Sequence, residues 1–308
     1  MATTTVNRGT TPSVATAPAP RGARMRSPYP YWFYLPTAVI YGTLFLLPTF
    51  AAFYFSLTRW SIFESKFIGF GNFISFFQEP ALVKGLTNTL IYGVVTSGLK
   101  VVLGMLLAVL LTSRIVARGY LRSVVFFPVL LSGIGVGIMF QVLMNPDRGL
   151  INKSLALIGV DGPAWLTDPQ LALLSVALVD VWKGVGLATL IYIAGIVSIP
   201  QEYFEAAKVD GAGPSSSFWH IILPLARPAT VTVIILSLIG GLRSFDLIWA
   251  TTRGGPGFSS DVIASVIYKQ YQAGFYGLST AGNVILFLLV TGIVLPLFWF
   301  LSRKEVDL

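Results

Sequence analysis

The sequence predicts an all-α integral membrane protein of six helical spans, and three observations carry that expectation. Only 11% of the 308 residues are charged, 55% are hydrophobic, and the mean hydropathy is +0.76. A soluble domain is about 25% charged, so this chain lacks the polar surface that water requires. Second, the charges are gathered into short segments and leave apolar runs long enough to cross a bilayer, which takes about 20 residues per helix. Third, Cys is absent and His occurs once, which excludes disulfide scaffolds, thiolate metal sites and clusters of His ligands. The net charge of +8 fits membrane orientation better than nucleic-acid binding in so apolar a chain. No nucleic-acid partner, metal or cofactor is expected.

The spans follow from the gaps between charges. No charge lies between Arg26 and Arg59, which puts the first helix at 31–57. The second, 87–112, contains Lys100, and the third fills the uncharged stretch between Arg122 and Asp147. The fourth, 171–199, carries Asp180 and Lys183; the fifth, 228–251, carries Arg243 and Asp246; the sixth is 281–301. Continuous apolar runs call for helices, since lipid leaves no backbone group unpaired and a barrel strand would alternate. Residues 1–30, rich in Thr, Ala, Pro and Arg, read as a disordered cytoplasmic tail, residues 31–303 as the membrane domain, and 304–308 as a short second tail.

Lys and Arg set the orientation. The amino tail has Arg8, Arg21, Arg24 and Arg26, the second connection Arg114, Arg118 and Arg122, the fourth Lys208 and Arg227, and the carboxyl tail Arg303 and Lys304. The other three connections together hold fewer basic residues, so both termini are expected in the cytoplasm.

The connection at 200–228 is the informative segment. Pro200 suits the first turn of a helix, because its missing N–H costs nothing there. Residues 201–209 then make about two turns, stopped at Asp210-Gly211 by a residue that takes positive φ cheaply. A helix of nine residues does not stand alone in water, and Tyr203, Phe204 and Ala207 fall on one face. The loop is therefore expected to dock, on this chain's own helix ends, in the lipid headgroup layer or on a partner.

Glu205-Ala206-Ala207, then Asp210-Gly211-Ala212, then Ile221 and Leu223-Pro224, resemble at this spacing the EAA loop of permease subunits in binding-protein-dependent ABC importers. Phe67-Ile68-Gly69-Phe70-Gly71-Asn72-Phe73, Asn88-Thr89, Phe245-Asp246, Thr252-Arg253-Gly254-Gly255-Pro256 and Ile267-Tyr268 are similar to the maltose and glycerol-phosphate branch of that family. The Gly-Gly-Pro feature resembles the maltose-F-like half of a heterodimer. The resemblance implies a type I ABC importer transmembrane domain in the plasma membrane of a bacterial or archaeal cell, paired with a second six-span, maltose-G-like permease. Two P-loop ATPase subunits, an extracytoplasmic solute-binding protein and a carbohydrate substrate are the further implied partners. It implies that Tyr203, Phe204, Glu205, Ala206, Ala207, Asp210 and Gly211 form the coupling helix, with Glu205 the charged contact to an ATPase. The chain has no G-x-x-x-x-G-K-[ST] of its own, so it is expected not to be an enzyme and ATP is hydrolysed by separate subunits.

Charges inside spans are costly and point to function. Asp180 and Lys183 are i, i+3 on one helix face, and Arg243 and Asp246 repeat the spacing. They read either as self-paired structural contacts or as a polar wall along a solute path, with Trp182 and Trp249 as stacking faces. Lys100 reads as a side chain that snorkels. Gly133, Gly135 and Gly137 read as close helix packing. The competing functional reading is a secondary carrier driven by an ion gradient. An intramembrane hydrolase is disfavoured because the one His, His220, lies in a loop.

Overall fold

The structure, a computed structural model, describes residues 31–61, 64–113 and 115–303. The tails expected at 1–30 and 304–308 lie outside the described residues. The chain divides into two bodies, Met1–Pro48 and Thr49–Leu308. In the first, a 3-10 turn at Tyr31–Tyr34 leads into α1 (Leu35–Tyr41), started by Pro36, and then into a π turn at Gly42–Leu46.

Among its described residues the second body is helical apart from one hairpin. After α2 (Leu47–Ser56), strands β1 (Thr58–Trp60) and β2 (Ser65–Phe67) pair antiparallel, with Arg59 opposite Lys66. This hairpin, two strands of three residues, is a small addition to a chain that is otherwise helical as expected. Then come α3 (Gly71–Gln78), α4 (Pro80–Thr112), α5 (Arg118–Phe126), a 3-10 turn at Phe127–Leu130, α6 (Gly133–Leu143), α7 (Leu150–Ala156) and α8 (Ala172–Val197). The loop helix α9 (Gln201–Val209) follows, with α10 (Pro214–Ser217), a π turn at Phe218–Ile222, and α11 (Leu223–Leu225). The chain closes with α12 (Arg227–Leu242), α13 (Asp246–Thr251), α14 (Ile263–Gln272) and α15 (Tyr276–Ser302).

Among the described residues, four stretches are long and apolar enough to cross a membrane: Trp32–Ser56, Pro80–Thr112, Ala172–Val197 and Tyr276–Ser302. Two more candidates are bent pairs, Arg118–Leu130 with Gly133–Leu143 at 100°, and Pro214–Leu225 with Arg227–Leu242 at 69°. The third span, expected as one helix, is therefore broken, while the bend at Ala226 lies ahead of the expected start of the fifth at 228. Pro128 and the extended Leu131-Ser132 backbone interrupt the third. Ala226, flanked by Pro224 and Pro228, turns the chain before α12, and a second interruption at Arg243-Ser244-Phe245 separates α12 from α13.

Small residues hold the helices together. Lipid tails are as apolar as Leu, so helices associate in a bilayer through close packing rather than burial from water. A Cβ placed on Gly104 of α4 would come within 2.8 Å of Ala188 on α8, one on Gly195 within 2.6 Å of Ala229, and one on Gly93 within 2.8 Å of Leu242. Gly137 approaches Ala250 of α13 in the same way, at 2.5 Å, and Gly133 packs on Asp246, whereas Gly135 meets nothing closer than Ser132. Two of the three glycines in α6 thus serve helix contact. Two large apolar clusters result, one around Tyr92, Val136, Val176 and Ile248, the other around Met105, Ala188, Tyr192 and Ile222.

Candidate functional site

The first candidate surface is built on α9. Pro200 has an extended backbone and opens the helix; Glu202 lies in its first turn and Lys208 in its last, the signs that the helix dipole favours. The helix ends as a Schellman turn. Gly211 takes φ +76, its N–H donates to the Lys208 carbonyl, and the Ala212 N–H donates to the Ala207 carbonyl at 2.8 Å. Phe204 and Ala207 are half-buried, and Phe204 packs on the cluster of Ile196 and Ile222. Tyr203 is 48% exposed, so it does not share the buried face expected for it. The helix thus meets its own chain through Phe204, with Ala207 half-buried on the same side. Glu202, Glu205, Ala206 and Val209 lie on the opposite side and are exposed, as are Lys208 and Asp210. A Cβ on Gly211 would meet nothing within 4 Å, so this chain leaves open space there.

The second candidate site lies inside the bundle. Lys100 of α4 donates from Nζ to Asp180 Oδ2 of α8 at 2.8 Å, with both side chains largely buried. Gly184, one turn beyond Asp180, makes room for the lysine stem, since a Cβ there would lie 2.7 Å from Lys100 Cε. This pairing corrects two expectations at once: Asp180 is neutralised by Lys100 and not by Lys183, and Lys100 does not snorkel. A buried carboxylate takes the nearest buried cation, because an unpaired charge at this depth costs several kcal/mol. Tyr92, fully buried, brings its hydroxyl beside Asp180 and Ser244 without hydrogen-bond geometry to either. Ser244 sits in the interruption between α12 and α13.

Around that cluster the remaining predicted residues are exposed or half-buried. Lys183 is half-buried, and Trp182 is 40% exposed and meets Phe140 edge-to-face at 5.2 Å. Arg243 and Asp246 flank the helix interruption and are exposed. The ion pairs among the described residues are Lys100–Asp180 and Lys269–Asp261, so the expected Arg243–Asp246 pair does not form. Trp249 stacks on Phe245 at 5.6 Å and meets Tyr268 at 4.8 Å. Interrupted backbone and exposed charge at membrane depth are tolerated where they line a polar cavity or meet other protein, not where they face lipid.

The turn after α13 is tied down by residues whose role the sequence alone does not disclose. Asn88 of α4 donates from Nδ2 to the carbonyls of Ser259 at 2.9 Å and Asp261 at 2.8 Å, and the Thr89 hydroxyl accepts from the Ile263 N–H at 2.8 Å. Asp261, fully buried, accepts from Ser265 Oγ at 2.7 Å and Lys269 Nζ at 2.6 Å. Gly254, at φ +85, lies against the Asp261 carboxylate so closely that no Cβ fits. Thr252 and Ser260 share a hydroxyl hydrogen bond at 2.7 Å, and the Gly255-Pro256 peptide is cis.

Comparison with known proteins agrees with this architecture. Residues 100–303 match the family described as binding-protein-dependent transport system inner membrane component. A probable ABC transporter permease of Bacillus subtilis, YurN, is 33% identical over 284 residues, covering 90% of this chain and 97% of that protein. The trehalose/maltose transport system permease MalF of Thermococcus litoralis is 32% identical over 262 residues, covering 84% and 89%. Among solved structures, a bacterial ABC transporter involved in import of the acidic polysaccharide alginate contains a chain 25% identical to this one. It superposes with a TM-score of 0.77 over 90% of this chain and 96% of that one.

Proposed function

Because the chain belongs to the family of binding-protein-dependent transport system inner membrane components, we propose that it is one transmembrane subunit of an ATP-driven carbohydrate importer. The single observation that carries this reading is α9: a nine-residue helix that half-buries Phe204 and Ala207, with Phe204 packed on its own bundle, and leaves Glu205, Ala206 and Val209 exposed. That geometry suits a coupling helix held rigidly from one side and seated on a separate ATPase from the other. Glu205 supplies the charged contact, Ala206 permits close approach, and Tyr203 and Asp210 border the seat. The ATPase closes on nucleotide, and the helix carries that movement to α8 and α12, which it joins. Two states of the bundle, opened to one side or the other, are then biased by nucleotide and by loaded binding protein.

In this reading both termini and α9 are cytoplasmic, six crossings are made if each bent pair is one span, and the turn after α13 is external. The solute path runs along Asp180, Trp182, Lys183, Arg243, Asp246 and Trp249, toward the second permease. Amide, hydroxyl and charged groups at a helix interruption offer hydrogen bonds that replace water on a hydroxyl-rich solute, and aromatic faces suit sugar rings. The names of the relatives that transport trehalose, maltose or alginate support the carbohydrate class.

The test is affinity purification of the tagged chain from its own membranes, comparing wild type with Gly211→Asp. Asp is among the few side chains that tolerate left-handed backbone, and the space around Gly211 is open within this chain. The loop should keep its shape, so an effect reports the partner's surface. A P-loop ATPase and a second permease should co-purify with wild type, with the ATPase reduced about tenfold in the variant, the size expected of an interface clash of about 1.4 kcal/mol. Wild type recovered alone would favour an ion-coupled carrier.

A further inference from the structure

The turn 252–261 presents two side chains that its fold does not use. Arg253 and Phe258 are non-glycine residues held at left-handed φ, +53 and +62. A bulky residue adopts that backbone only where the surroundings enforce it, and such positions gather at functional sites. Here Asn88 grips the carbonyls of Ser259 and Asp261, Gly254 backs onto the Asp261 carboxylate, and the Ser260 hydroxyl donates to the Gly255 carbonyl at 2.6 Å. The turn is rigid on three sides.

Its charges are arranged unevenly. The one carboxylate in the turn, Asp261, is fully buried and satisfied by Lys269 and Ser265. Arg253 is exposed and has no ion pair among the described residues. Phe258 is 52% exposed, with the Lys269 ammonium 5.3 Å from its ring centroid, so a cation lies close to the ring while half the side chain stays open. A pre-ordered turn showing one free guanidinium and one large apolar ring has the makings of a protein-binding anchor, because Arg and aromatic groups dominate such contacts and rigidity lowers the cost of association.

We propose that Arg253 and Phe258 form a docking point for the solute-binding protein, with Arg253 meeting an acidic patch and Phe258 filling an apolar recess beside it. This rests on the importer reading above, which puts the turn on the outer side, where the binding protein delivers its load. The uncompensated positive charge on a turn whose own carboxylate is buried selects an acidic partner surface. An Arg at the contact rim acts mainly on the rate of encounter and its salt dependence, and a buried ring acts on the lifetime of the complex.

The experiment uses the complete transporter in lipid nanodiscs, with ATPase activity followed as loaded binding protein is titrated. Arg253→Asn and Phe258→Gly both suit left-handed backbone, so each removes a side chain and keeps the turn. Each variant is expected to raise the half-maximal concentration of binding protein about tenfold, with basal and maximal ATPase rates unchanged. The shift for Arg253→Asn should shrink at high salt. Unchanged half-maximal concentrations in both variants overturn the proposal. A fall in maximal rate alone overturns it too and makes the turn a gate, and loss of the second permease on purification assigns the surface to the subunit interface instead. If wild type shows no response to binding protein at all, the importer reading fails, an outcome separate from these.

Discussion

Lys100→Met is expected to destabilise the chain by about 3–5 kcal/mol, the range for breaking a buried pair from one side. The substitution keeps the length and packing of the stem over Gly184 and removes the ammonium from Asp180, 2.8 Å away. Asp180 then has the neighbouring Tyr92 hydroxyl and no cation in contact. Asp180→Leu should cost as much by stranding the lysine. The double variant should recover most of the loss, since apolar replacement of a whole buried pair is close to neutral. Thermal unfolding of the four proteins in one detergent gives the coupling energy as a double-mutant cycle. Solute uptake by the double variant then separates two roles for the pair. Recovered stability with recovered uptake makes it a structural tie between α4 and α8, and recovered stability without uptake puts it in the solute path.

The second large effect is expected at Gly254. Any side chain there must displace the Asp261 carboxylate, and the φ of +85 adds left-handed strain. Gly254→Ala should therefore cost about 3 kcal/mol or more, from roughly 1–2 kcal/mol of backbone strain and the loss of a buried charged network. Gly257 provides the control. It also has positive φ, +55, but a Cβ there would meet nothing within 4 Å, so Gly257→Ala should show the strain alone. Thermal unfolding and the yield of monodisperse protein distinguish the two. Equal losses at both positions would mean that the carboxylate contact contributes nothing.

Much of the architecture was legible from charge spacing. The apolar runs around Lys100, Asp180 and after Lys269 locate α4, α8 and α15, and Pro200 with Asp210-Gly211 frames α9 to the residue. The bend at Ala226 falls where Pro224 and Pro228 end the connection, but the breaks at 131–132 in the third span and 243–245 in the fifth were not legible, because Leu131, Ser132, Arg243, Ser244 and Phe245 are compatible with helix and only packing decides that they interrupt it. The hairpin Thr58–Trp60 with Ser65–Phe67 is too short to show a period of two. Within the candidate site, spacing along one helix suggested Asp180 with Lys183, yet the partner came from another helix. Local spacing cannot reveal an i, i+80 contact, although a lone cation in one span and a lone carboxylate in another, each too costly to leave unpaired, was an available signal. Asn88-Thr89 resembles a family feature in the sequence; its physical task, holding the turn and α14 by hydrogen bonds to Ser259, Asp261 and Ile263, spans 171 to 174 residues of chain and shows only in the fold.

The coupling role of α9 is open to one direct measurement, made simple by a chain that contains no cysteine. Single-cysteine variants Ala206→Cys and Val209→Cys on the exposed face, and Phe204→Cys and Ala207→Cys on the face turned to the bundle, are treated in native membranes with a short thiol-to-amine cross-linker. Adducts with a P-loop ATPase are expected from Ala206→Cys and Val209→Cys, with none or traces from the other two. No ATPase adduct from either exposed position, or equal adducts from all four, would contradict a coupling helix seated by its outer face.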